Sequence, residues 1–214
     1  MHESTPHIFA ESKAIISGAN PATAVTTYQN RTWGDHLLVI GNASDAPITD
    51  SISSRRPQDW GIDPAQEYGL FDVVERTYQR ESEAKLDGPF TQLKLPANGL
   101  RLIYMRPVTK DRPQHLWGGK RLEETWNPAA NRLSLRLSAP AGVTDSVFLT
   151  PGPQPVAAIT VNGKPAKFAR STDGQLLHGE VSFGREPVLL EVELGPEVQS
   201  LPVEDPVRQA LYPE

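Results

Sequence analysis

Five histidines, a scatter of carboxylates and four tryptophans are the side chains with which this sequence could do chemistry. The histidines are His2, His7, His36, His115 and His178. No two stand at helical ligand spacing and no H-E-x-x-H occurs, so no local metal motif is written in the chain and no metal is assigned. His36 and His115 each lead into an apolar run and read as strand-start residues. Cysteine is absent, which removes disulfides, thiolate ligands and a cysteine nucleophile together. There is no G-x-S-x-G, no P-loop and no strand followed by G-x-G-x-x-G, so no catalytic residue and no cofactor is assigned either.

Carboxylates bear on a different chemistry. Glycoside cleavage needs two carboxyl groups about 5–10 Å apart. Asp35, Asp59, Asp63, Asp72, Glu123 and Glu124 all fall at expected strand ends or in loops. No apolar pocket is written around any of them, so each is expected in solvent, and Glu81–Asp87 reads as a solvated face.

Aromatic residues point to binding. Sugar rings present apolar C–H faces that stack on indole and phenol rings. Trp33, at a strand entrance, and Trp60, in a polar loop between Asp59 and Gly61, are candidates for such stacking, with Tyr78 as a third. Trp117 and Trp126 flank strands and are expected in a core. Asn30-Arg31-Thr32 and Asn42-Ala43-Ser44 match the glycosylation acceptor pattern, which matters only in a eukaryotic secretory setting.

The elements that must position these side chains are strands. Gly and Pro number 16 and 20 of 214 residues, above average but below the roughly 25–30% that indicates disorder, and they punctuate short apolar runs. Thr23–Tyr28, His36–Asn42 and Ile48–Ser53 read as a three-stranded meander, Glu67–Val74 as a further strand, and Phe90–Leu95 with Leu100–Arg106 as a closing pair around Asn98-Gly99. Arg132–Leu137 and Val188–Leu194 alternate strictly. Asn162-Gly163 after Ala157–Val161 is the strongest hairpin signal in the chain. Short strands at this spacing, without βαβ alternation, predict an all-β protein of two tandem antiparallel β-sandwich domains. The charged connector Val108–Pro113 divides them. The expected organisation is an irregular segment over 1–19, a sandwich over 20–108, a smaller sandwich over 114–196, and a Pro/Glu-rich tail over 197–214, with one helical turn at Pro206–Leu211.

Charge and hydropathy exclude some partners. A net charge of −5 speaks against nucleic acid, which calls for clustered Lys and Arg. No apolar run approaches the roughly 20 residues of a membrane helix, so no membrane partner is expected. The N-terminus carries no apolar stretch of signal-peptide length, and His7-Ile8-Phe9 onward reads like the inside of a longer protein.

Three groups of residues carry a resemblance. They are Asn20-Pro21 through Val25-Thr26-Thr27-Tyr28 to Trp33-Gly34-Asp35-His36-Leu37-Leu38-Val39-Ile40-Gly41-Asn42, then Glu67-Tyr68-Gly69-Leu70-Phe71-Asp72-Val73, then Leu95-Pro96-Ala97-Asn98-Gly99-Leu100-Arg101. Their pattern resembles the β-sandwich that follows the catalytic barrel in many bacterial glycoside hydrolases. Leu116-Trp117-Gly118 through Glu123-Glu124-Thr125-Trp126 to Thr160-Val161-Asn162-Gly163-Lys164 is similar to small accessory sandwiches appended to such enzymes. No catalytic carboxylate motif of those enzymes maps onto a position here. The resemblance implies a non-catalytic accessory or carbohydrate-binding module, partnered by polysaccharide or oligosaccharide and by a catalytic domain of the same parent protein, in the periplasm or outside the cell. The rival expectations are a small stand-alone polysaccharide hydrolase or lyase with its site on a concave sheet face, and a cell-surface module that binds protein.

Overall fold

The computed structural model describes residues 4–7, 16–18, 22–30, 32–50, 52–54, 63, 65–82, 93–196 and 200–207. Among them the chain is strand and turn throughout, without a helix. It divides into two compact units, one ending at Val108 and the other running from Thr109 to Val207.

The first unit contains β1 (Ser4–His7), β2 (Ile16–Gly18), β3 (Thr23–Asn30), β4 (Asp35–Asn42), β5 (Ile48–Asp50), β6 (Ile52–Ser54), β7 (Glu67–Asp72), β8 (Thr77–Ser82), β9 (Leu93–Leu95) and β10 (Leu100–Pro107). Six described strands form one antiparallel sheet in the order β1-β3-β4-β10-β7-β8, while β5 with β9 and β2 with β6 form two-stranded ladders. One face of the large sheet carries Leu38, Ile40, Tyr68, Leu70, Ile103 and Met105, packed with Leu95 of β9 and Ile48 of β5.

Two pairings differ from the sequence reading. Ile48–Asp50 does not extend the β3–β4 hairpin as the third strand of a meander; it pairs with Leu93–Leu95. Leu100–Pro107 does not close the unit beside that strand; it lies in the sheet interior between β4 and β7. The reason for the second is that β10 is apolar on both sides, with Ile103 and Met105 on one and Leu100, Leu102 and Tyr104 on the other, and a strand that is apolar on both faces favours an interior place. The reason for the first lies at Asn42. Its amide donates to Ala46 O at 2.8 Å and to Pro96 O at 2.9 Å, while its Oδ1 accepts from the Ser44 amide at 2.9 Å. Both turns are gathered onto one buried side chain, which turns β5 and β9 out of the large sheet together. The acceptor pattern Asn42-Ala43-Ser44 is thereby spent on structure, with Asn42 only 4% exposed.

The second unit contains β11 (Gln114–Trp117), β12 (Lys120–Asn127), β13 (Arg132–Ser138), β14 (Thr144–Thr150), β15 (Val156–Val161), β16 (Lys164–Pro165), β17 (Phe168–Arg170), β18 (Leu177–Ser182) and β19 (Val188–Leu194). A four-stranded sheet, β11-β14-β18-β17, faces a five-stranded one, β12-β13-β19-β15-β16. Leu133, Leu135, Leu137, Val188, Leu190, Val192 and Leu194 from one sheet interdigitate with Val147, Leu149, Phe168, Leu177 and Val181 from the other, the filling of an aligned sandwich. Trp126 packs against this core as expected. Trp117 does not; it pairs with Phe148 on the outer side of the four-stranded sheet.

The chain passes from one sheet to the other at Gly118-Gly119, whose φ angles are 94° and 66°. A Cβ at Gly118 would run into the backbone of Ser146, so both the dihedral and the space demand glycine. Beside this corner three polar side chains point inward from the edge strands β11 and β12. Arg121 donates to Glu124 Oε2 at 2.7 Å, the His115 amide donates to Glu124 Oε1 at 3.4 Å, and His115 Nε2 donates to Gly118 O at 2.9 Å.

The described part of the expected tail, 200–207, is strapped down. Leu201 packs on the sandwich core, and Val203 makes a parallel bridge with Arg170 on the edge strand β17. The Glu204 amide donates to Arg170 O at 2.9 Å, and the Thr172 amide and hydroxyl both donate to Asp205 at 2.9 Å. The end of the helical turn expected at Pro206–Leu211 lies outside the described residues; Pro206 and Val207 are not helical.

The bonds from the Thr172 amide and hydroxyl hold the Asp205 carboxyl below the usual carboxylate range. A depressed folded value contributes stability that is present above the ordinary pKa of about 4 and lost as pH falls through the depressed one. Acidification below about pH 4 is therefore expected to weaken the Thr172–Asp205 bonds while the backbone bond from Glu204 to Arg170 holds, read as a shift of the Thr172 amide in an NMR titration. In Asp205→Asn that acid step should be missing.

Candidate functional site

The second face of the six-stranded sheet gathers the chemistry. Residues directly opposite one another in an antiparallel pair share a face, so the register defines rows running across the strands. Tyr28 pairs with Leu37, Leu37 with Tyr104, Tyr104 with Phe71, and Phe71 with Tyr78. Four aromatic rings and one leucine thus form a single row over β3, β4, β10, β7 and β8, about 19 Å long at the usual strand spacing. Tyr28, Leu37 and Tyr104 are half-buried, whereas Phe71 is 0% and Tyr78 5% exposed.

A polar row runs parallel to it. Asn30 pairs with Asp35, and Arg106 pairs with Gly69, which pairs with Arg80. Asp35 and Arg106 close this row across β4 and β10. Tyr104 Oη donates to Asp35 Oδ2 at 2.5 Å, and Arg106 Nε lies 3.6 Å from Asp35 Oδ1. Both charged groups are buried, at 2% and 7% exposure. A carboxylate out of water requires such partners, and here they also fix the Tyr104 ring in place. Gly69 leaves the gap in the polar row, and the Tyr78 ring lies over it; a Cβ there would strike the Tyr78 hydroxyl.

Tyr78, expected as an exposed stacking platform, is a buried one. Burial raises its phenol pKa, against the opposing pull of Arg80 and Arg106. A raised folded value means that the stability it contributes is complete below about pH 10 and lost as pH rises through the raised value. In a spectrophotometric titration Tyr78 is expected to ionise after the accessible tyrosines and together with alkaline unfolding, and Tyr78→Phe should abolish that late step. Simultaneous ionisation of every tyrosine would contradict it.

Of the other candidates, Trp33 is half-buried in the turn that links Asn30 to Asp35, at the end of the polar row. Trp60 lies outside the described residues, as does Asp59. The carboxylates depart from the expectation of solvation in three places. Asp35 is buried as above. Asp72, 4% exposed, accepts from Arg101 Nε at 2.6 Å and from the amides of Val74 and Glu75 at 2.9 and 2.8 Å. Glu124 belongs to the sandwich corner. Asp35 and Asp72 stand on opposite faces of the same sheet, so they do not form an acid–base pair. Among the described residues no group of three or more His, Asp or Glu could hold a metal ion.

Sequence reasoning misses Tyr28, Phe71, Tyr104, Arg106 and the role of Asp35. Each is inconspicuous in its own strand, and only the pairing of β10 with both β4 and β7 brings them into rows. The available signal is the aromatic at one phase of several strands.

Fold and site together define an all-β protein of sandwiched antiparallel sheets with an aromatic row on one sheet face. Comparison of the chain with family models and with curated proteins finds no match to either.

Proposed function

We propose that this chain is a non-catalytic, carbohydrate-binding accessory module of a multidomain glycoside hydrolase or polysaccharide-processing protein, working beside a catalytic domain of the same parent. The observation that carries this reading is the half-buried part of the row, Tyr28–Leu37–Tyr104, which keeps some of its surface in solvent. Flat apolar rings bordered by planar hydrogen-bonding groups suit sugar rings, which offer a C–H face and a rim of hydroxyls. The strand-and-turn pattern that resembles accessory sandwiches of bacterial glycoside hydrolases supports the same assignment.

Affinity electrophoresis of the full chain through gels containing a panel of polysaccharides tests the reading. Retardation on at least one glycan is expected, reduced in Tyr28→Ala. Free migration through every glycan would remove the binding function and leave a purely structural module.

A further inference from the structure

The accessible half of the aromatic row has a length and a charge that select among glycans. Tyr28 on β3 and Tyr104 on β10 are two strands apart, with Leu37 of β4 between them. Two strand spacings are about 10 Å, so the three side chains stand about 5 Å apart, close to the advance per ring of an extended sugar chain. We infer that this half-row takes an extended, β-linked, uncharged glycan laid across the strands; the inference rests on the carbohydrate reading above and narrows it.

Three features support it. The floor is continuous: on one side of the row stand Thr26, Val39 and Leu102, themselves paired in register and half-buried. A β-1,4-linked chain, joined through equatorial bonds at both ends of each ring, keeps its rings nearly in line, so consecutive rings rest on Tyr28, Leu37 and Tyr104 at once. A coiled α-linked chain lifts alternate rings away from such a floor.

Charge comes next. The described charged side chains placed on this face by the register are Asp35, Glu67, Arg80 and Arg106, two of each sign. Asp35 and Arg106 face one another as an opposite-charge pair. Among the described residues the formal charges on this face sum to zero, which favours a neutral chain over a uronate or a sulfated sugar.

The last feature is rigidity. The Tyr104 hydroxyl is engaged by Asp35, so its ring is held before any ligand arrives and little ordering is needed on binding.

Calorimetric titration of the full chain with two glucan oligosaccharides of equal length, one β-1,4-linked and one α-1,4-linked, tests this. The β-linked chain should bind at least about tenfold more tightly, the worth of one additional stacked ring. The ring resonances of Tyr28 and Tyr104 should shift on titration with it, and Tyr28→Ala should lose a similar factor. Equal affinities, or a preference for the α-linked chain, would overturn the inference while leaving the carbohydrate reading in place. Binding of neither, with free migration on the whole polysaccharide panel, would overturn both. A preference for the β-linked chain that moves neither tyrosine resonance would place the site elsewhere and overturn the assignment to this row; that readout does not depend on whether Tyr28→Ala folds.

Discussion

Asp35→Ala is expected to lower the unfolding free energy by about 3–5 kcal/mol, the largest single effect in the first unit. The carboxylate is 2% exposed and the Arg106 guanidinium facing it 7%. Removing one partner of such a pair leaves the other charge in a low dielectric without that carboxylate, and the penalty exceeds the worth of the pair itself. The Tyr104 hydroxyl loses its acceptor at the same time. Denaturant unfolding followed by circular dichroism measures the loss. Removing the charge on both sides, in Asp35→Ala with Arg106→Met, should recover a substantial part of it, because the double variant buries no lone charge. A loss below about 1 kcal/mol in the single variant would mean that the pair behaves as an exposed one.

In the second unit the largest effect is expected at Leu190. It is 0% exposed in the middle strand of the five-stranded sheet, with Leu135 and Val161 beside it in register. Leu190→Ala removes three carbons from a site hemmed in on both sides by neighbouring strands, so the structure can collapse little into the space. A cost of about 2–5 kcal/mol follows, toward the upper part of that range. The adjacent residue provides the control. Leu189 points the other way and is 37% exposed, so Leu189→Ala should change stability by no more than about 0.5 kcal/mol. Similar costs at the two positions would contradict the strand's assigned faces.

The contrast between these neighbours is legible in the amino-acid sequence itself. Val188–Leu194 and Arg132–Ser138 alternate with the period of a strand, and Leu133, Leu135, Leu137, Val188, Leu190, Val192 and Leu194 are the residues buried. The Asn162-Gly163 hairpin is equally plain, and its φ angles of 51° and 73° join β15 to β16. These features depend on a residue and its near neighbours in the chain. The first unit is less legible because its order is non-local. Nothing within Leu100–Pro107 says that its partners are Asp35–Asn42 and Glu67–Asp72 rather than the adjacent Leu93–Leu95. The aromatic row inherits that difficulty: Tyr28, Tyr104 and Phe71 lie far apart in sequence and meet only through register. Tyr78 stands out by type alone, which cannot tell a ring that shields Gly69 from one that faces solvent.

The corner of the second sandwich has a consequence for the protein in company. Arg121 and Glu124 point inward from β12, the end strand of its sheet among the described residues. Another chain approaching that side would find hydrogen-bonding groups in reach, yet lengthening the sheet there means sealing two charges more deeply away from water. Edge strands bearing inward charges resist such recruitment. The cost of a polar seam within one molecule is thus repaid between molecules, as reluctance to polymerise at high concentration.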